Sequence, residues 1–132
     1  MYRRTRLEVN IEQQSNVRMV DASVMERLRR LGGDELIGKM VDLFVQYAEP
    51  MLGRVVASCE AGNPDELERA AHSLKSSAGN LGAREVESLA GSIERLAAEH
   101  SLEAIRPIVT ELEKAFLRAK ACLDEEKRGL TR

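Results

Sequence analysis

Apolar residues recur along most of the chain at steps of three and four, the spacing of helices that each bury one side. After Asp21, suited to cap a helix, Val24, Met25, Leu28 and Leu31 keep this spacing until Gly32-Gly33 ends the run, which predicts a short helix. Asp34 can cap a longer segment, in which Leu36, Ile37, Met40, Val41, Phe44, Tyr47, Ala48, Met51, Leu52, Val55, Val56 and Cys59 hold the period and Gly62 ends it. Pro50 falls inside that period. It removes one backbone hydrogen bond and frees the carbonyl of Gln46, so a kinked long helix is expected.

Asn63-Pro64-Asp65-Glu66 reads as a helix start, with a capping side chain, proline in the first turn and two acids at the positive end of the dipole. Leu67, Ala71, Leu74, Ala78 and Leu81 then mark one side, and Gly82 supplies a left-handed stop. Val86, Leu89, Ala90, Ile93, Leu96 and Ala97 line a further helix. After a cap at Ser101, Ile105, Ile108, Val109, Leu112, Phe116, Ala119 and Leu123 line the last one. Pro107 marks either a distorted first turn or the true start of that helix. Residues 1–19 show no sustained period and read as a loose leader, and the charged run from Asp124 to Arg128 is expected to fray. Short connections between long amphipathic helices make neighbours antiparallel. The expected fold is all-α: an up-down-up-down four-helix bundle over residues 20–124 with a short additional N-terminal helix, followed by a frayed tail, 125–132.

Composition narrows the function classes. A chain of 132 residues makes one domain, and its size allows a core without disulfides or a structural metal. Aromatic residues are 3% of the total and there is no tryptophan, which favours helix over sheet. Twenty basic residues against 22 acidic ones give a net charge of -2, without the concentrated positive face of a nucleic-acid binder. No apolar run approaches the roughly 20 residues that span a bilayer, and the expected location is the cytoplasm. Cys59 and Cys122 fall on core-facing positions and are expected to be reduced, structural thiols. A bundle that closes its own apolar stripes is expected to be a monomer.

His72 is the residue that departs from the core pattern. It lies about 100° around its helix from the buried stripe, on a side shared with Glu68, Arg69, Lys75, Ser76 and Gly79. With a reference pKa of about 6.5, an accessible imidazole is largely unprotonated near neutral pH and available as a nucleophile. Lys75, three residues on, can offer a cation to anything negative attached to the ring. Ser76, Ser77, Ala78 and Gly79 form a small-residue run, and a glycine inside a helix calls for a packing or a docking reason. Taken singly, each feature also fits an ordinary helix surface.

Together they spell Ala71-His72-Ser73-Leu74-Lys75-Ser76-Ser77-Ala78-Gly79-Asn80-Leu81-Gly82-Ala83, which resembles the histidine phosphotransfer (HPt) domain signature. The family often has glycine directly after the motif lysine, where this chain has Ser76. The resemblance, extending from about Asp21 to Leu123, implies a phosphorelay protein. It would accept a phosphoryl group on His72 from the phospho-aspartate of a receiver domain and pass it to another, without ATP-dependent kinase activity of its own. It implies that Lys75 offsets phosphoryl charge and that no cofactor is bound by this chain, the Mg²⁺ being carried by the receiver. Implied partners are receiver domains of response regulators or a hybrid sensor histidine kinase, with no nucleic acid or membrane. Glu94 falls where related domains carry a polar residue that orients the histidine, and it equally fits an exposed glutamate in a helix-surface pair. A docking surface is expected around His72 from Ser76, Ser77 and Gly79 together with Met25 and Ile37, unless the last two plug the end of the core. The alternative function is a helical adaptor that binds a receiver or kinase without taking phosphate. A metal site is disfavoured, because His72 and His100 are the only histidines and stand on different helices.

Overall fold

The structure is a computed structural model that describes residues 20–129; the expected leader and the last three residues lie outside the described residues. Four helices follow in order: α1 (Ala22–Glu60), α2 (Pro64–Leu81), α3 (Arg84–Ala98) and α4 (Leu102–Gly129). Each packs against its chain neighbours, and α1 closes the ring against α4. This is the four-helix bundle that short connections between amphipathic helices require.

Helix α1 contains the predicted short helix as its first limb. Asp21 caps it by accepting hydrogen bonds from the Ser23 amide (2.9 Å) and hydroxyl (2.7 Å). The limb ends at Gly33, whose φ of 69° and ψ of -162° break the helical run before the second limb begins. Such a backbone is open to glycine and strained for other residues. The break therefore lies at Gly33, and the backbone angles remain helical through Pro50, where a kink was expected. Leu31, counted on the apolar side from its spacing, is 72% exposed beside this bend.

The core takes the stripes read from the sequence. Ile37, Leu67, Leu74, Leu81, Ile93, Ile105, Leu112 and Leu123 are fully buried, each large aliphatic contributing about 1.5–3 kcal/mol through burial. Phe44 of α1 and Phe116 of α4 meet with ring centroids 5.8 Å apart. Met25 and Ile37, weighed from sequence as exposed docking residues or as plugs of the core, are core residues at 3% and 0% exposure, so the docking role is not theirs. Both stand on the inward stripe of their limb, which the core covers from Val24 to Leu28 and again from Ile37. Tyr47 departs the other way: its stripe position is wide of the core and it is 63% exposed.

Helices α1, α2 and α3 close in the same way. One or two residues past the helix the backbone turns left-handed while two amides bond back three and five residues, the Schellman arrangement. Gly62 and Gly82 fill this position in the first two, and His100, with φ of 59°, fills it in the third. Asn63 caps α2 by accepting from the Glu66 amide at 3.2 Å. Helix α4 starts at Leu102, so Pro107 lies inside it, and it continues to Gly129 where the charged run was expected to fray. Lys127 is tied to Asp42, and Arg29 approaches Glu126 at 3.6 Å, so charges of the tail find partners on α1.

The N-terminal limb is anchored on the turn between α2 and α3. The Asp21 amide donates to the Gly82 carbonyl at 2.7 Å, and a Cβ on Gly82 would stand 2.9 Å from the Cβ of Asp21 and 3.0 Å from that of Val24. Gly82 is thus required for its left-handed φ of 73° and for the space it leaves. No helix among the described residues is long and apolar enough to cross a membrane. Cys59 is buried, Cys122 is half-buried, and both are free thiols. Burial, with Glu126 and Glu125 nearby, pushes the Cys122 thiol up and keeps it protonated.

Candidate functional site

The site is built where α2 and α3 lie side by side. Ala71 and Leu74 point into the core at 0% exposure, which turns His72 outward, its side chain 62% exposed. On α3, Ala90, Ile93 and Ala97 are buried, which brings Glu94 to the edge facing α2. Its side chain is 20% exposed.

Glu94 joins the two motif residues. One carboxylate oxygen, Oε2, is hydrogen-bonded to His72 Nδ1, and the other, Oε1, accepts from Lys75 Nζ at 2.6 Å. Burial pushes the Glu94 carboxyl up, but the hydrogen bonds from Lys75 and His72, with their charges, outweigh it and hold the group below its ordinary value of 4.5. At neutral pH the carboxylate is ionised and can only accept. His72 Nδ1 therefore carries the hydrogen, and in the neutral ring the lone pair resides on Nε2. The site thus holds a nucleophilic nitrogen with its tautomer set from behind and an ammonium on the same carboxylate.

The sequence-derived candidates separate clearly in space. His72, Lys75 and Glu94 come together. Ser76 is exposed one turn beyond His72, Ser77 faces α1, and Gly79 is half-buried against α3. A Cβ on Gly79 would meet Glu87 Oε2 at 2.6 Å, so a packing reason for this glycine is visible. Glu87 in turn accepts from Arg84 Nη1 at 2.8 Å, and Arg84 Nε reaches Asp21 at 3.2 Å. This chain of charges connects the site's edge to the first cap of α1. The Ser23 hydroxyl and amide, with Arg84 beyond them, hold the Asp21 carboxyl below its ordinary value against the opposing effect of burial. Met25 and Ile37 do not reach the site's surface.

Sequence reasoning missed two features. A groove of about 300 Å³ runs between α1 and α2, lined by Met40, Leu43, Phe44, Tyr47, Ser77, Asn80 and Leu81. Leu43 and Tyr47 are 60% and 63% exposed on it, and Leu43, apolar yet off the core stripe, was the available signal. The second feature is Gly91, one turn before Glu94 on α3, where a Cβ would stand 3.3 Å from Lys75 Cδ. A glycine inside a helix was its signal. Among the described residues, no group of three or more His, Cys, Asp and Glu side chains could hold a metal ion.

Comparison with known proteins agrees with this geometry. Over 110 residues, 82% of this chain, it is 33% identical to the sensor protein TorS of Escherichia coli (strain K12), and the match spans 12% of TorS. The crystal structure of histidine-containing phosphotransfer protein B (HptB) from Pseudomonas aeruginosa PAO1 superposes with a TM-score of 0.78 at 25% identity, covering 83% of this chain and 94% of that one. The Hpt domain family model matches residues 39–122, which include His72, Lys75 and Glu94, and the chain belongs to the Hpt domain family.

Proposed function

We propose that this protein is a phosphorelay intermediate in which His72 accepts a phosphoryl group from the aspartyl phosphate of a receiver domain and passes it to another receiver. The observation that supports this most directly is the carboxylate of Glu94, shared between His72 Nδ1 and Lys75 Nζ. In the forward step the Nε2 lone pair attacks phosphorus, the N–P bond forms, and the bond from phosphorus to the aspartyl oxygen breaks as the receiver's carboxylate leaves. The ring keeps its Nδ1 hydrogen, and the positive charge it gains lies against Glu94. No proton has to leave the site. Return transfer reverses each bond change.

Phosphoryl transfer is mostly positioning and charge neutralisation, and the bundle supplies both on rigid helices. Glu94 is the positioning residue for the ring. Lys75 is held on the same carboxylate as the ring, and sharing its ammonium between Glu94 and the phosphoryl oxygens offsets the incoming charge. The receiver brings the aspartate and Mg²⁺. It docks over the ridge of His72 and Ser76, with Leu43 and Tyr47 as exposed apolar anchors on the α1 side in place of Met25 and Ile37. A transient interface of this kind needs only about 1,200 Å² or less in total.

Incubation with a phosphorylated receiver and Mg²⁺, followed by intact-mass measurement before and after brief acid treatment, tests the proposal. Acid-labile phosphate on the wild type and none on His72→Gln is the expected result. Stable binding to receivers with no transfer from any of a panel would favour the adaptor reading instead.

A further inference from the structure

Lys75 can serve the site only if its ammonium is held near His72, and reaching Glu94 takes its stem across the surface of α3. It crosses at Gly91. A Cβ there would stand 3.3 Å from Lys75 Cδ, inside the separation of about 3.5–4.0 Å at which carbon atoms attract. Cδ is two bonds from the ammonium, whose bond to Glu94 Oε1 is 2.6 Å long, so displacing the stem displaces the charge.

Other helix glycines do not share this position. Gly38 and Gly53 have nothing within 4 Å of an added Cβ, Gly32 would meet Leu36 of its own helix, and Gly79 would meet the Glu87 carboxylate that pairs with Arg84, away from the His72–Lys75–Glu94 cluster. At Gly91 the neighbour is the middle of a side chain whose end is already committed. Glycine is also, proline aside, the least favourable residue for a helix interior, and Gly91 is not left-handed, so the turn geometry does not ask for it.

We propose that Gly91 is a positioning residue for phosphoryl transfer: its bare backbone is the seat over which the Lys75 stem passes to hold its ammonium on Glu94, beside His72. The role in transfer rests on reading His72 as the acceptor, whereas the seat itself can be tested without any phosphate.

Gly91→Ala and Gly91→Leu, each alone and combined with Lys75→Ala, provide that test through two readouts. The first is the titration of the Glu94 carboxyl followed by carbon NMR. Gly91→Leu is expected to move its midpoint upward to that of Lys75→Ala, Gly91→Ala by a smaller amount, and neither further once Lys75 is gone. The second is the transfer rate from a phosphorylated receiver, expected to fall about tenfold for Gly91→Leu and about two- to threefold for Gly91→Ala, as small misplacements of a catalytic group do. Melting temperatures should stay close to that of the wild type, because the gain of alanine or leucine over glycine in a helix offsets the weakened Lys75–Glu94 pair. An unmoved Glu94 midpoint in Gly91→Leu would overturn the seat. So would an equal loss of rate in the Lys75→Ala background, which would mean that the new side chain obstructs the partner. A wild-type protein that accepts no phosphate would instead overturn the acceptor reading, and with it the role in transfer, whatever the titration gives.

Discussion

His72 projects from the middle of α2 with its ring nitrogen on a carboxylate from the neighbouring helix, whereas His100 stands at the end of α3 in the left-handed backbone that glycine fills at two other turns. In the first region the backbone is relaxed helix and the side chain is constrained. In the second the backbone is constrained, and no hydrogen bond or ion pair of the ring among the described residues explains the choice of histidine. Composition alone gives these two residues equal standing. What separates them is the company of the side chain: an ionised acceptor behind the ring fixes a tautomer and leaves a lone pair for chemistry, and a strained φ does neither.

This contrast can be broken most forcefully at His72. His72→Gln should lose phosphoryl acceptance entirely by intact mass, while its melting temperature stays within about 2 °C, since an exposed side chain off the core contributes little. A large drop in melting temperature would mean that His72 is part of the packing. Glu94→Ala should lower the transfer rate by roughly 10–100-fold, the equivalent of a hydrogen bond to a charged group worth about 1.5–3 kcal/mol. A rate unchanged in rapid-quench measurements would show that the ring needs no orienting partner.

A smaller effect follows from acid. A carboxyl whose folded-state pKa lies below its unfolded one contributes stability throughout the range above the unfolded value, here about 4.5, and loses it as pH falls through the lower folded-state value. The stability that Glu94 adds over Glu94→Gln, from denaturant unfolding, should therefore be present above about pH 5 and be lost as pH falls through the folded-state midpoint. The smallest change is at the other histidine. His100→Gly should stabilise the protein by about 0.5–1 kcal/mol by relieving the left-handed backbone, raising the melting temperature by about 2–4 °C without altering transfer. If transfer fell as well, the two regions would be coupled and the contrast between them would fail.

The fold was legible because each helix carries its own instructions. Leu67, Ala71, Leu74, Ala78 and Leu81 mark a face, Asn63 and Pro64 open the helix, and Gly82 closes it, all within one segment. The same local reading brought His72 and Lys75 together. It failed where two segments had to be known at once. Periodicity states that Met25, Leu31 and Ile37 are apolar and in phase, but only the arrival of the other helices decides that Met25 and Ile37 are covered and Leu31 is not. Tyr47 is left in the open by the same circumstance. Gly91 and the α1–α2 groove depend on the axial register between helices, which no single amphipathic pattern records. Glu94 was an intermediate case: the family resemblance suggested its position, and its two partners became visible only with α2 and α3 side by side.

The bond from the Asp21 amide to the Gly82 carbonyl, with Gly82 seated against Asp21 and Val24, has a consequence for how the molecule opens. The first limb of α1 is joined to its helix through the non-helical backbone of Gly33, yet its far end is fastened to the turn from which α3 departs. Its amides should therefore exchange hydrogen with solvent in step with those of the α2–α3 hairpin, as one cooperative unit, instead of fraying early as a terminal segment would. The alignment of α3 against α2, and hence of Glu94 against His72, is guarded by a strand of protection that begins more than fifty residues before the histidine in sequence.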